Sequence, residues 1–238
     1  MLTLAPKLQK LRLYQLDRAA IQRVASALTK ARGGGVPLLT ELTGFSGMSS
    51  FLTSYDIQPD TVLGVTKYFP ELQSLSLSGM ASPSPFYSPV RYSGFSLSAE
   101  TASMPRLQQV NIKGIRCETA ILEDDEMGQQ AAVAFASFLD TLFACAPNLL
   151  ECLFEFAMRW NEGTGTPKLG VAPLTARAEH LESLKLDGFC CTADTFQLLH
   201  APKLKNLKFR TRPGADTASI EAAVQAMFPE AKLFVAAA

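Results

Sequence analysis

A short motif, Pro-x-Leu-x-x-apolar-x-apolar, recurs along the 238-residue chain and constrains its fold more than any other feature. Its clearest copy runs from Pro70 through Leu72 and Leu75 to Leu77. Successive copies are 31, 33, 35, 42, 32, 23 and 27 residues apart, and a fixed motif at variable spacing is typical of stacked repeats. The first apolar residues of the copies are Leu8, Leu39, Leu72, Leu107, Leu149, Leu181, Leu204 and Ala231.

The motif predicts a short strand with one apolar face. Its last two apolar positions are two residues apart, which places them on the same side of a β-strand, and the earlier Leu reaches the same interior from the preceding turn. Most copies begin with a proline, which Glu179 replaces in the copy at Leu181. Because proline lacks an N–H, we expect it to end the preceding helix and direct the chain into the strand. Two copies are weaker, with strand positions Leu42 and Gly44, and Phe234 and Ala236.

Apolar residues recur every three or four positions between these strands, which predicts amphipathic helices. A strand followed by a helix cannot bury its apolar face alone, so stacked units should share one core. We therefore predict a single domain over residues 1–238, interrupted by loop insertions at 81–103 and 161–178 that are rich in Pro, Ser, Thr or Gly. The predicted helices are 19–30, 60–68, 129–146, 192–200 and 217–227, with Asp60, Thr192 and Thr217 as N-caps.

The Leu-x-x-Leu-x-Leu copies over residues 72–77 and 181–186 resemble those of leucine-rich-repeat proteins. The irregular, proline-led units resemble the repeat region of F-box-type proteins, including many fungal members. This resemblance implies an α/β solenoid that is curved, with short parallel strands on its concave face and helices on its convex face. It also implies that a protein partner binds the concave face. The F-box would precede the repeats, and we expect it to be absent because no residues remain for it before Leu2.

Composition argues against several classes of partner. The formal net charge is zero, so no basic excess supports nucleic-acid binding. The longest apolar run, residues 131–146, is short for a membrane span and contains Asp140, so we interpret it as a buried helix. Met1 to Pro6 does not have the pattern of a signal peptide. We expect an intracellular protein, cytoplasmic or nuclear, that binds neither nucleic acid nor membrane.

The residues that could hold a metal or perform redox chemistry have simpler interpretations. The cysteines lack C-x-x-C spacing and lie at or near apolar positions, which favours reduced core thiols over a zinc or redox site. His180 and His200 precede a strand and end a predicted helix, which favours structural roles. The acidic run at 123–126 suits a helix N-terminus, with a contact patch for a basic partner as the alternative. We predict no cofactor and no metal. The cysteines are Cys117, Cys145, Cys152, Cys190 and Cys191.

Residues that alternate with the buried strand positions should line the concave face. Basic side chains lie at both ends of this series, with acidic and neutral ones between them, which suits a protein partner of mixed charge better than a polyanion. A merely solvated sheet face is the alternative. The candidate partner-binding residues on this face are Lys10, Arg12, Tyr14, Gln109, Asn111, Lys113, Glu151, Glu155, Lys185, Asp187, Lys208 and Arg210.

The first insertion supplies a second group of candidates. Aromatic side chains on a loop favour recognition, although they would serve equally to pack the loop back onto the solenoid. These candidate partner-binding residues are Phe86, Tyr87, Tyr92 and Phe95.

The sequence favours a non-enzymatic scaffold for protein–protein interaction, resembling the substrate-recognition part of an F-box-like ubiquitin-ligase adaptor. One alternative is a hydrolase or other enzyme with its site in an inserted loop, although no Gly-x-Ser-x-Gly elbow is present. Another alternative is an incomplete fragment of a larger repeat protein. Because the chain begins inside a repeat at Leu2 and ends with apolar residues, self-association through uncapped ends is a further expectation.

Overall fold

A computed structural model of the protein describes residues 6–14, 18–46, 67–79, 103–115, 126–156, 169–212 and 214–237. Nine strands and four helices lie within these ranges. The strands are β1 (Lys10–Tyr14), β2 (Glu41–Ser46), β3 (Ser74–Gly79), β4 (Gln109–Ile115), β5 (Glu151–Phe156), β6 (Leu169–Gly170), β7 (Ser183–Cys190), β8 (Asn206–Thr211) and β9 (Lys232–Ala237). The helices are α1 (Arg18–Ala31), α2 (Glu126–Cys145), α3 (Ala193–Phe196) and α4 (Thr217–Met227).

All of these strands belong to one parallel sheet. Its order is β1-β2-β3-β4-β5-β7-β8-β9, and the short strand β6 pairs with β7 beside this path. Each neighbour in the sheet is therefore the next motif copy along the chain. The α/β class with parallel strands is confirmed. Three helices match their predictions closely, at 18–31, 126–145 and 217–227.

The motif proline occupies the second position of a tight turn before five of the described strands, and Glu179 occupies it before β7. In the unit of β3, the Leu72 N–H donates to the Phe69 carbonyl across Pro70 and Glu71, with an N···O distance of 3.0 Å. Proline suits this position because its ring fixes φ near the value that the turn requires. The same bond closes five further turns, from Leu107 to Met104, Leu149 to Ala146, Leu181 to Ala178, Leu204 to Ala201 and Ala231 to Phe228.

The parallel register stacks equivalent motif positions into continuous apolar rows. Leu75 pairs with Leu42 and Val110, and this row continues across the whole sheet. The side chains of Leu75 and Leu77 are 0 % exposed, as are those at the equivalent positions in β7. The prediction of their burial is confirmed. The row through Leu75 consists of Leu11, Leu42, Leu75, Val110, Cys152, Leu184, Leu207 and Leu233. The row through Leu77 consists of Leu13, Gly44, Leu77, Ile112, Phe154 and Leu186, and ends at β7 because the register between β7 and β8 shifts after Lys185. Phe209 and Val235 pair with each other on β8 and β9.

The helices cover the apolar side of the sheet. On α2, Phe135 stacks on Phe189 of β7 with ring centroids 4.4 Å apart, and its edge meets Phe154 of β5 at 5.6 Å. Buried residues of α1 and α4 belong to the same core, including Leu28 and Val224. The core therefore lies between the helices and one face of the sheet, and the opposite face consists of the alternate strand residues.

The last strand departs from the prediction. Spacing within the motif placed Phe234 and Ala236 inside, but Leu207 pairs with Leu233, and the Phe234 side chain is 44 % exposed. The first inward-facing strand residue, Leu233, comes two positions after Ala231, whereas in the other units it comes three positions after the first apolar residue, as Leu75 follows Leu72. A shift of one residue exchanges the two faces of a strand. Leu233 and Val235 pack against the core instead.

Two predictions about helix ends are wrong. The helix expected at 192–200 spans only Ala193–Phe196, because the following segment turns to pair with residues 176–178. There, the His200 N–H donates to the Ala176 carbonyl at 3.0 Å. In α4 the N-cap is Asp216 rather than Thr217, and its carboxylate accepts a hydrogen bond from the Ser219 N–H at 3.1 Å. Thr192 is the N-cap of α3, as predicted.

The described part of the second insertion is more ordered than a simple loop. It contains β6, and the segment that follows, residues 171–178, crosses α2 and contributes Val171, Leu174 and Ala176 to the core. Asp140 of α2 accepts hydrogen bonds from the backbone of this segment. In the first insertion, residues 81–102 lie outside the described residues, and so do Asp60, most of the helix predicted at 60–68, Cys117 and residues 123–125.

Candidate functional site

The sheet face opposite the core is a continuous polar surface, which we call the open face. Its residues stack across the strands in two long rows because the first residues of each strand keep the same register, which shifts only later, after Ile112 in β4 and after Lys185 in β7. The first row is Lys10, Glu41, Ser74, Gln109, Glu151, Ser183, Asn206 and Lys232. The second, which we call the central row, is Arg12, Thr43, Ser76, Asn111, Leu153, Lys185, Lys208 and Phe234.

The twelve strand candidates all occupy open-face positions of their strands. Tyr14 is placed only by its pairing with Phe45. The other eleven candidates fall into two groups according to the exposure of their side chains, and none of them is fully buried. The exposed ones are Lys10, Arg12, Gln109, Lys113 and Glu151, and the half-buried ones are Asn111, Glu155, Lys185, Asp187, Lys208 and Arg210.

The loop candidates cannot be placed on this surface. Phe86, Tyr87, Tyr92 and Phe95 all lie outside the described residues. Their role in recognition therefore stays a prediction.

Two residues of the open face were missed by the sequence prediction. Lys232 and Phe234 continue the rows onto β9, where Lys232 pairs with Asn206 and Phe234 with Lys208. The Lys232 Nζ lies 4.9 Å from the centroid of the Phe234 ring, within range of a cation–π interaction. The available signal was the pair of apolar residues two apart, Leu233 and Val235, which fits a strand as well as the motif spacing does.

The charges on the open face are arranged in bands that follow the strands. At the first edge, Lys10 pairs with Glu41 of β2 at 2.6 Å. The strands in the middle carry mainly hydroxyl and amide side chains, and β5 carries Glu151 and Glu155. The last three strands, β7 to β9, carry most of the cations. A partner that matches this face must therefore present different charges to different strands.

Asp187 is the acidic centre of the cationic end. Its carboxylate lies 2.7 Å from the Lys208 Nζ and 3.7 Å from an Arg210 guanidinium nitrogen. These side chains are 30 to 42 % exposed, so solvent screens the pairs and each is worth at most about 1 kcal/mol. The two cations share a single carboxylate, which leaves an excess of positive charge.

Two polar atoms of the open face have unfulfilled hydrogen-bonding capacity. The Asn111 Oδ1 and the Arg210 Nε are shielded from solvent, and neither has a hydrogen-bond partner. Such atoms are uncommon in folded proteins because an unpaired buried polar group costs about 1–3 kcal/mol. The acceptor lies near the middle of the face and the donor near its cationic end.

The four cysteines that the structure describes do not contribute to the open face. Cys152, Cys190 and Cys191 are buried free thiols, and Cys145 is a half-buried one. Burial raises the pKa of the Cys152 thiol well above its ordinary range. Burial, and to a lesser extent the neighbouring Cys190, raise the pKa of the Cys191 thiol. Thiols held neutral in this way are poor nucleophiles and poor metal ligands.

The histidines lie in the turns and connections before the strands. The His180 Nδ1 is 3.0 Å from the Lys203 Nζ, and the His200 Nε2 is 3.5 Å from the Glu179 carboxylate. Within the described ranges, no three His, Cys, Asp or Glu residues are grouped so that they could hold a metal ion. In the same part of the chain, no helix has the length and apolar character needed to cross a membrane.

Comparison with protein-family models and with curated proteins gives no match for this sequence. The functional interpretation therefore rests on the residues of the open face and their geometry.

Proposed function

We propose that this chain is a leucine-rich-repeat protein that binds a protein partner on the open face of its sheet and has no catalytic activity of its own. The observation that carries this proposal is the shared register of the motif copies. It joins side chains that are far apart in sequence into two uninterrupted rows on one face. A surface of this kind suits a large partner better than a small molecule, because it is extended and presents many separate polar groups.

The character of the central row favours recognition over simple solvation. A face that only meets water needs neither the half-buried Leu153 nor the exposed Phe234. Interfaces combine apolar and aromatic anchors with a polar surround, and the central row has this mixture. The unpaired Asn111 Oδ1 gives a further reason, because a donor from a partner would satisfy it.

The type of repeat supports a narrower role. The proline-led turns and the irregular spacing resemble the substrate-recognition part of F-box-like ubiquitin-ligase adaptors, so we place the protein among such adaptors in the cytoplasm or nucleus. The free buried thiols agree with a reducing compartment. In this role, the open face selects the protein that is to be modified.

Site-specific photocrosslinking tests the proposal. A benzophenone side chain would replace Ser76, at the centre of the open face, or Ser137, an exposed serine on α2 on the other side of the sheet. We expect discrete crosslinked proteins from position 76 in cell extract and none of the same proteins from position 137. Identical products from both positions, or none from position 76, would contradict binding on the open face.

A pair of charge reversals separates binding from folding. Arg12→Glu and Lys208→Glu change opposite ends of the central row, and both side chains are partly exposed. We expect the yield of the crosslinked partner to fall while the melting temperature changes little, because exposed ion pairs contribute little to stability. A lower melting temperature with unchanged partner binding would place these residues in a structural role.

A further inference from the structure

The cationic end of the central row has an ordered composition. From β5 to β9 the row reads Leu153, Lys185, Lys208 and Phe234, since Leu153 pairs with Lys185, Lys185 with Lys208, and Lys208 with Phe234. Two lysines therefore lie side by side between an aliphatic and an aromatic residue. We call these four residues the bracketed lysine row.

The two lysines are unequally compensated. Lys208 has Asp187 at 2.7 Å, but Asp187 also lies 3.7 Å from Arg210. Lys185 forms no ion pair with any described residue. Like charges at directly paired positions of a sheet repel each other, so an additional anion beside Lys185 would relieve the repulsion between Lys185 and Lys208.

The neighbouring acids do not remove the excess of positive charge. Glu155 is the open-face residue of β5 that pairs with Asp187, and Glu151 pairs with Ser183. Each is two residues from Leu153 along β5, at the next position on the same face. Lys232, on β9, adds another cation beside Phe234. The acids therefore border the cationic area on the β5 side.

The dimensions of the row fit a short piece of extended chain. Adjacent strands are about 4.8 Å apart, so the three intervals from Leu153 to Phe234 span roughly 14 Å. Because successive side chains of an extended peptide point to opposite sides, its alternate residues, about 6.8 Å apart, face the row. Two acidic residues at alternate positions can face the lysines, whose long flexible side chains cover the difference in spacing. Apolar residues at the next alternate positions then contact Leu153 or Phe234.

We propose that the bracketed lysine row binds a short acidic segment of the protein partner, in which two carboxylates are flanked by apolar residues. This inference rests on the proposed function, because it names the chemistry of the partner that the open face binds. Carboxylates gain charge-assisted hydrogen bonds from Lys185 and Lys208. The apolar ends of the segment cover Leu153 and the ring of Phe234, which excludes water from these bonds.

The surroundings favour an acidic peptide over a nucleic acid. A nucleic-acid strand carries phosphates along its whole length and requires a continuous cationic track. Here Glu151 and Glu155 of β5 separate the cations of β7 to β9 from Lys113 of β4, and the formal net charge of the chain is zero. A segment with only two acidic residues meets the lysines and avoids these carboxylates.

A random library of 12-residue peptides, selected on the full chain, is the first test. We expect the selected peptides to contain two acidic residues close together with an apolar residue on each side. Their binding should weaken as salt is raised, since it depends on exposed charges. Selected peptides without enrichment in Asp or Glu would overturn the inference.

Lys185→Glu is the sharpest variant, because it breaks no ion pair in the described structure and places a carboxylate beside Lys208. We expect it to weaken binding of the selected acidic peptides by about tenfold or more without lowering the melting temperature. Lys30→Glu, an equal charge change on α1 away from the sheet face, is the matched control and should leave binding unchanged. Equal weakening in the two variants would overturn the inference.

Further outcomes separate this inference from the proposed function. If the selected peptides are not acidic but Ser76→Arg abolishes their binding, the open face binds peptides and only the bracketed lysine row has been misjudged. If no selected peptide depends on Ser76, Lys185 or Lys208, the proposed function fails as well. If a 20-nucleotide single-stranded DNA binds more tightly than every selected peptide and Lys185→Glu abolishes that binding, the row is a polyanion site and the inference is overturned.

Discussion

The carboxylate of Asp140 holds the backbone of Thr175 across 35 residues of sequence. The Thr175 N–H donates to both carboxylate oxygens at 3.0 and 3.1 Å, and the Thr175 hydroxyl donates to one of them at 2.6 Å. The Ala176 N–H adds a fourth bond at 3.1 Å. One side chain of α2 thus fixes the segment 171–178, which carries core residues and has no motif copy of its own.

Replacing Asp140 with Ala should free this segment. We expect the free energy of unfolding to fall by about 1–3 kcal/mol, because two backbone N–H groups and a hydroxyl lose a charged acceptor. Hydrogen exchange at Thr175 and Ala176 should accelerate more than exchange at Leu75. Glu221→Ala, on the exposed surface of α4, is the control and should cost less than about 0.5 kcal/mol. Equal exchange rates in Asp140→Ala and the parent protein would contradict the role of this carboxylate.

Glu179→Pro should stabilise the protein. Glu179 occupies the turn position that holds proline in the other copies, and its N–H donates no hydrogen bond among the described residues. Proline would reduce the freedom of the unfolded chain, worth about 0.4–1 kcal/mol. The variant loses the ion pair with Arg177 and the contact with His200, both 3.5 Å away and exposed, so Glu179→Ala measures that loss separately. Denaturant unfolding in which the proline variant is less stable than the alanine variant would show that this turn differs from the others.

The register of β9 can be tested by two adjacent changes. Leu233 faces the core and Phe234 faces outward, so Leu233→Ser should cost about 2 kcal/mol or more and Phe234→Ser about 0.5 kcal/mol. The small cost at Phe234 includes its contact with Lys232. Urea unfolding of both variants is the measurement. A larger loss of unfolding free energy in Phe234→Ser than in Leu233→Ser would support the register that the motif spacing predicts.

The buried thiols predict a loss of stability at alkaline pH. Burial raises the pKa of Cys152 and Cys191 above the ordinary thiol value of 9.0. The folded protein therefore holds these protons more tightly than the unfolded chain. Their contribution to stability is complete below about pH 9 and is lost as the pH rises above it, because only the unfolded thiols ionise.

Unfolding free energies measured from about pH 8 to pH 11 check this prediction against variants that lack the thiols. Cys152→Ala and Cys191→Ala should each be less stable at neutral pH because they leave a small cavity. Their stability should nevertheless decline less steeply above pH 9 than that of the parent. Parallel curves for parent and variants would mean that these thiols are accessible to water in the folded state.

Much of the sheet could be predicted from the sequence because its determinants are local. The alternation of Leu75, Ser76 and Leu77 fixes which face of β3 is buried, and the proline-led turn repeats at the start of most strands. The same alternation predicted the open-face positions of the candidate residues, including Lys185 and Lys208. The parallel pairing then follows from stacking of equivalent units.

The features that were predicted wrongly depend on contacts between residues distant in sequence, or on the turn before β9, which is one residue shorter than the turns before the other strands. The helix expected at 192–200 ends at Phe196 because His200 bonds to Ala176, a partner that no local pattern identifies. The inward-facing residues of β9 were misassigned because Phe234 is apolar and also fits the motif spacing. Docking of residues 171–178 depends on Asp140, which the sequence presented only as a charge within an apolar run.

The central claim is that successive motif copies bury alternate strand residues in one shared interior and present the others on one face. Alanine substitution at four positions, followed by urea unfolding, tests it most directly. We predict a loss of about 2–5 kcal/mol for Leu75→Ala and Leu184→Ala, because their side chains are 0 % exposed. Ser76→Ala and Lys185→Ala should stay within about 0.5 kcal/mol of the parent. Equal losses at all four positions would contradict the claim.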